Sequence, residues 1–353
     1  MTDRFKEIDV CRGLLFLLMI NTHALTQASV PRDHWLFSGF WLPNGWATVA
    51  FVVLSGYGIG YIFSIREQVA ERDAALINRS KKIFAVMFIS NFVFSALRQI
   101  LFDEHIYFLY PMWWTGLFTL NTDWTISGIL LPTGLVLLSG PAMIRFCKRA
   151  LWRTLVVLIV ARIAIELLIS SLAVTDYANS WILLLLLFKG FGGFPVLPFI
   201  INGCLGIWLG VFKRQCGNIT WVVVLAGLML VQLMIYLSSF TPSLLCVQLV
   251  SSIGAIAKFA WVFAVALLLT RFQLFPVTSL VGLIGKYSLG SFIMHRVILN
   301  AIHFFWYHLG NYRLPPSYYY CLLIIFTIAT TWLLCLLRER FPDINRCFTR
   351  LAL

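Results

Sequence analysis

The sequence predicts an all-α polytopic membrane protein, and three observations carry that prediction. The chain of 353 residues is 60% hydrophobic and 12% charged, with a mean hydropathy of +0.88, a composition outside that of soluble domains. Apolar runs long enough to cross roughly 30 Å of hydrocarbon recur from end to end. Lys and Arg collect in alternate connecting segments, the cytoplasmic bias of membrane proteins. A transmembrane barrel would need strands of alternating polarity about ten residues long, and these runs are continuous.

About ten transmembrane helices follow, near 12–30, 45–64, 82–102, 124–144, 153–174, 195–212, 219–238, 247–270, 287–307 and 317–337. The sixth is barely long enough to span. With the N-terminus inside, the cytoplasmic cations are Arg4, Lys6 and Arg12; Arg66, Arg72, Arg79, Lys81 and Lys82; Arg145, Lys148, Arg149 and Arg153; Lys213 and Arg214; Arg271 and Lys286; Arg338, Arg340, Arg346 and Arg350. Those are 20 of the 27 Lys and Arg residues, against Arg32, Lys189 and Arg313 outside. The split predicts an even number of spans with both termini cytoplasmic, N-in/C-in. The short apolar run of 181–193, ending in Gly and Pro, would invert every later loop if it crossed. It is therefore expected as a re-entrant or interfacial segment on the outer side. Acidic residues Asp3, Glu7 and Asp9 precede the first apolar run, so that run is expected to be retained and not cleaved as a signal peptide. Residues 1–353 are expected to form one membrane-embedded domain.

The net charge of +13 does not indicate nucleic acid, because the cations sit in short loops between spans. The eight cysteines show no paired spacing and are read as free thiols, with no metal site.

Arg12 and His23 are the most informative pair in the first span. Eleven residues of α-helix make almost three full turns, so the two side chains share a face about 16 Å apart along the axis. Asp9, three residues before Arg12, can hold the guanidinium. Ionisable groups at membrane depth are costly, which marks this stripe as a functional candidate against a simply buried histidine. In the second span Ser55, Gly56, Gly58 and Gly60 strip one region of bulk, either for close helix packing or as a slot for a ligand. Arg79, Lys81 and Lys82 stand at the mouth of the third span. They serve topology, and beside Arg12 they also make a site for phosphates such as those of coenzyme A. Arg162 and Glu166, four apart in the fifth span, suit an internal ion pair. Ser288, Ser291 and His295 form one polar stripe on the ninth span, a possible second polar site or a packing histidine with its serines. No nucleophile elbow, P-loop or Cys/His ligand cluster is present.

Four separated motifs occur in an order that resembles acyltransferase family 3. They are Asp9-x-x-Arg12-Gly13 followed by His23; Phe51-Val-Val-Leu-Ser55-Gly56-Tyr57; Gly285-Lys-Tyr-Ser288-Leu-x-x-Phe292-x-x-His295; and Glu339-Arg-Phe-Pro342. Arg79-x-x-Lys82 stands where the family usually has two arginines, and the lysine is a departure. Phe194-Pro195-x-Leu-Pro198 is similar to the OpgC-like and heparan-glucosaminide acetyltransferase-like branches.

The resemblance implies a multi-pass O-acyltransferase of the bacterial inner membrane. It would move an acetyl or succinyl group from cytoplasmic acyl-CoA to a hydroxyl of an extracytoplasmic glycan. Acyl-CoA would be donor substrate, with no permanently bound cofactor, and the OpgC-like branch succinylates periplasmic glucans. On this reading Arg12, Arg79, Lys81 and Lys82 hold CoA phosphates, and Asp9 orients Arg12. His23 acts as general base or transient acyl acceptor, with Ser55 and Gly56 beside the donor. Ser55 or His295 could complete an oxyanion site. With no appended periplasmic esterase-type domain, a second step would need a partner. The rivals are a polytopic transporter and a non-catalytic subunit of a polysaccharide export assembly.

Overall fold

The computed structural model describes residues 6–31, 34, 46–102, 109–111, 114, 127–172, 196–237, 244–272, 276–309 and 314–350. In chain order the helices are α1 (Lys6–Gln27), α2 (Trp46–Phe63), α3 (Val69–Phe102), α4 (Ser127–Arg149), α5 (Leu151–Leu172), α6 (Val196–Gln215), α7 (Asn218–Leu237), α8 (Leu244–Arg271), α9 (Val277–Lys286), α10 (Ser288–His303), α11 (Pro316–Arg340) and α12 (Pro342–Arg350), with a wider π-type turn over Phe304–Leu309. No strand occurs among the described residues. The fold is all-α, and each of the ten expected spans is met by a helix.

Among the described residues seven helices are individually long and apolar enough to cross a membrane, and α9 with α10 adds an eighth if the pair is one span. The expected ninth span, 287–307, is met by α10, and α9, which the sequence did not mark as a separate helix, precedes it across a bend of 93°. The break lies at Tyr287, whose amide donates to the carbonyls of Leu283 and Ile284. The third span also differs. The expected connecting segment before residue 82 is already helical from Val69, making α3 34 residues long, about 51 Å. The residues from Val69 to Lys82 contain neither Gly nor Pro and are mostly good helix formers, so nothing ends the helix there. The segment 181–193 lies outside the described residues.

By contact the chain divides into two compact units. The first contains α1, the end of α8 from Val262, and α9 to α12. Its core joins Phe16 and Ile20 of α1 to Ile284 of α9, with Ile324 and Ile328 of α11 against them. A second cluster packs Ala24, Leu25, Ala28 and Val30 against Leu299, Tyr319, Tyr320 and Leu323. The second unit contains α2 to α7 and α8 as far as Trp261. There α6 is the central element. The region from Gly56 to Gly60 of α2 lies backbone to backbone against Gly203, Gly206, Ile207 and Gly210 of α6. Trp208 of α6 donates its indole N–H to the Leu151 carbonyl at 2.9 Å. Small residues permit this approach, which supplies packing where lipid removes the usual hydrophobic drive.

Candidate functional site

In the first unit α1 brings the opening motif to α9. Gly13 lies against Val281, and Gly285 against the backbone of Asp9 and Gly13. The glycines of two separated motifs thus let two helices touch through their main chains. At this crossing Asp9 is buried and Arg12 half-buried. The Arg12 Nη1 donates to Asp9 Oδ1 at 3.5 Å, as the spacing of three predicted.

The bend at Tyr287 is tied to α11. Lys286 Nζ donates to Glu339 Oε1 at 2.7 Å, and the Tyr287 hydroxyl donates to Glu339 Oε2 at 2.7 Å. The Arg338 guanidinium lies 4.3 Å from the Tyr287 ring centroid and 4.6 Å from that of Phe348 on α12. The late and closing motifs are therefore partners, a relation that their separation of some fifty residues conceals.

His23 and His295 come together. Their rings stack with centroids 5.4 Å apart and planes 27° apart. His295 is fully buried, with Phe16 edge-on at 5.3 Å and Phe292 at 5.7 Å. The backbone of Ser291 and Phe292 lies near its ring, but neither ring nitrogen reaches hydrogen-bond geometry. His23 is half-buried, and its Nδ1 is 3.1 Å from Arg296 Nη1. Arg296 is the site residue sequence reading missed. It was visible as a cation inside a span, but only the fold shows that it faces His23.

The polar stripe of α10 divides. His295 belongs with His23, whereas Ser291 Oγ is buried 3.3 Å from Cys335 Sγ. Ser288 is half-buried at the start of α10. Further along, the Tyr320 hydroxyl donates to Asn21 on α1, and His303 Nδ1 is paired with the Tyr319 hydroxyl at 2.9 Å. These bonds anchor α1 to α10 and α11 around His23.

The other expected ligand residues are in the second unit. Arg79, Lys81 and Lys82 are exposed on α3. Arg79 and Arg66 both lie over the Phe63 ring, at 5.0 Å and 4.5 Å. Ser55 donates its hydroxyl to the Phe51 carbonyl at 2.8 Å. Gly56 faces the α6 backbone with no room for a Cβ, so packing is the role the structure gives this glycine. Arg162 and Glu166 form the expected ion pair within α5. Cys11, Cys147, Cys204, Cys216, Cys321, Cys335 and Cys347 are free thiols. Among the described residues no group of three or more His, Cys, Asp and Glu is placed to hold a metal.

No curated protein matches the chain, and no solved structure matches it. The family described as acyltransferase domain does match, over residues 5–336, which takes in α1 to most of α11 and three of the four motifs in full. With that coverage, the chain belongs to acyltransferase family 3 and is a multi-pass membrane acyltransferase.

Proposed function

We propose that the protein is an acyl-CoA-dependent O-acyltransferase that carries an acetyl or succinyl group to a hydroxyl of an extracytoplasmic glycan, as in the OpgC-like branch. We place it in a bacterial inner membrane with both termini cytoplasmic. The observation that carries the reading is the histidine pair: His23 on α1, half-buried, stacked on His295 and in contact with Arg296. Membrane helices bury such groups at a cost that function repays. His23 is assigned to the acyl centre. Asp9 holds Arg12, and Arg12, Arg79, Lys81 and Lys82 are assigned to the CoA phosphates from charge and sequence position. Ser55 stays a candidate for the donor side.

The test is purified full-length protein in detergent, given labelled acetyl-CoA or succinyl-CoA with and without a β-glucan acceptor. Release of free CoA with label on the glycan is expected. Absence of both would favour a transporter or a non-catalytic export subunit.

A further inference from the structure

We propose that Arg296 fixes the tautomer of His23, so that His23 presents Nε2–H to the reactants as a hydrogen-bond donor and does not serve as the base. This rests on the acyltransferase reading for its catalytic part. The tautomer itself follows from geometry. A guanidinium has five N–H donors, no acceptor, and does not give up its proton in proteins. At 3.1 Å from Arg296 Nη1, His23 Nδ1 must therefore be the acceptor, with its lone pair toward arginine. A neutral imidazole then carries its one proton on Nε2. An imidazolium does not fit this contact, because it would set two N–H donors against each other.

The arrangement is the reverse of a hydrolase triad. There a carboxylate accepts from Nδ1–H and leaves the Nε2 lone pair free to take a proton. Here a cation occupies the carboxylate's place, and Nε2 has no lone pair to offer. The ring is also held in plane by the stack on His295, itself wedged by Phe16 and Phe292. A rigid N–H donor at a half-buried position is suited to an oxyanion. In the transfer, the acceptor hydroxyl oxygen bonds to the thioester carbonyl carbon. The carbonyl π pair moves onto its oxygen, which accepts from His23 Nε2–H. When that pair returns, the carbon–sulfur bond breaks, and the CoA thiolate leaves with the proton the hydroxyl gives up. Arg296 is the positioning residue in this scheme.

The test begins without turnover, so it stands apart from the acyltransferase reading. NMR on full-length protein with isotope-labelled imidazole nitrogens is expected to show His23, identified by the signal lost in His23→Ala, protonated at Nε2 and bare at Nδ1. Arg296→Lys keeps a donor and should keep that tautomer. Arg296→Gln, whose amide can also accept, should lose the preference. A His23 protonated at Nδ1, or at both nitrogens, in the unsubstituted protein overturns the proposal, and that measurement stands even if a variant fails to fold. In turnover assays Arg296→Gln should lower kcat by about a hundredfold with KM for acetyl-CoA within about twofold, and Arg296→Lys should recover part of the loss. An undiminished kcat in folded Arg296→Gln overturns the donor role.

Discussion

Gly285 has no room for a Cβ: that atom would overlap the Asp9 carbonyl oxygen and stand 2.8 Å from the Gly13 amide nitrogen. The late motif is thereby pressed onto the opening motif, main chain to main chain, at the residue that pairs with Arg12. The first prediction follows. Gly285→Ala must push α9 off α1, and overpacking of this kind costs about 1–3 kcal/mol or more. Thermal denaturation in detergent should show a clear loss of stability. Gly227→Ala on α7, where nothing lies within 4 Å, should be neutral or slightly stabilising, since Ala is the better helix former by up to about 1 kcal/mol. Equal losses in both would mean that the glycines act through something other than close approach.

His23→Ala is expected to abolish glycan acylation, at least about a hundredfold, while the amount of protein in the membrane stays the same. The side chain is half-buried and pairs with one guanidinium, so its loss is local. Mass spectrometry of the cell's glycans together with an immunoblot reads both quantities. Full acylation in this variant would remove His23 from the reaction.

Arg79 and Lys82 are exposed in the first half of α3. Neutralising both, as Arg79→Gln with Lys82→Gln, should raise the KM for acyl-CoA by about tenfold and change kcat less. Phosphate contacts are shared by ground and transition states, so they act on binding more than on the chemical step. Steady-state kinetics over a range of acyl-CoA concentrations decides this, and an unchanged KM would place the donor elsewhere.

Glu339 accepts from both Lys286 and Tyr287. Glu339→Gln can still accept from the tyrosine hydroxyl, whereas Glu339→Leu cannot. The glutamate is substantially exposed, so its ion pair contributes little. The leucine variant should melt lower than the glutamine variant by an amount equivalent to about 1 kcal/mol, the worth of one hydrogen bond. Matched melting curves would assign the bend at Tyr287 to packing alone.

Orientation is tested by single cysteines in a cysteine-free background. Ser29→Cys and Ser317→Cys, both at exposed positions, should react with an impermeant thiol reagent applied to spheroplasts. Gln215→Cys, also exposed, should react only after the membrane is opened. Outside labelling at position 215 would invert the proposed topology.

Much of the architecture was legible in the sequence because it depends on local chemistry. A helix in lipid must satisfy its own backbone bonds and be apolar for about twenty residues, and both properties are written in consecutive residues. The places of all ten helical segments could therefore be read directly. So could Asp9 with Arg12 and Arg162 with Glu166, because spacings of three and four residues set neighbours on one helix. The bend at Tyr287 could not be read. It falls where the expected ninth span begins, but the preceding helix over 277–286 is set by packing, and the groups that tie it, at Glu339, lie on another helix.

The sequence by itself determined the class of protein, the places of ten of its helices and the candidate histidine at residue 23. Only the tertiary structure decided what His23 faces. Arg296 is 273 residues away along the chain, and no periodicity links two residues whose meeting depends on how α10 packs beside α1. The same holds for the motif glycines. Sequence shows small residues, but whether Gly56 meets a ligand or Gly203 depends on which helix arrives. Close packing between helices sets that choice, and it is a property of pairs of surfaces and not of either segment alone.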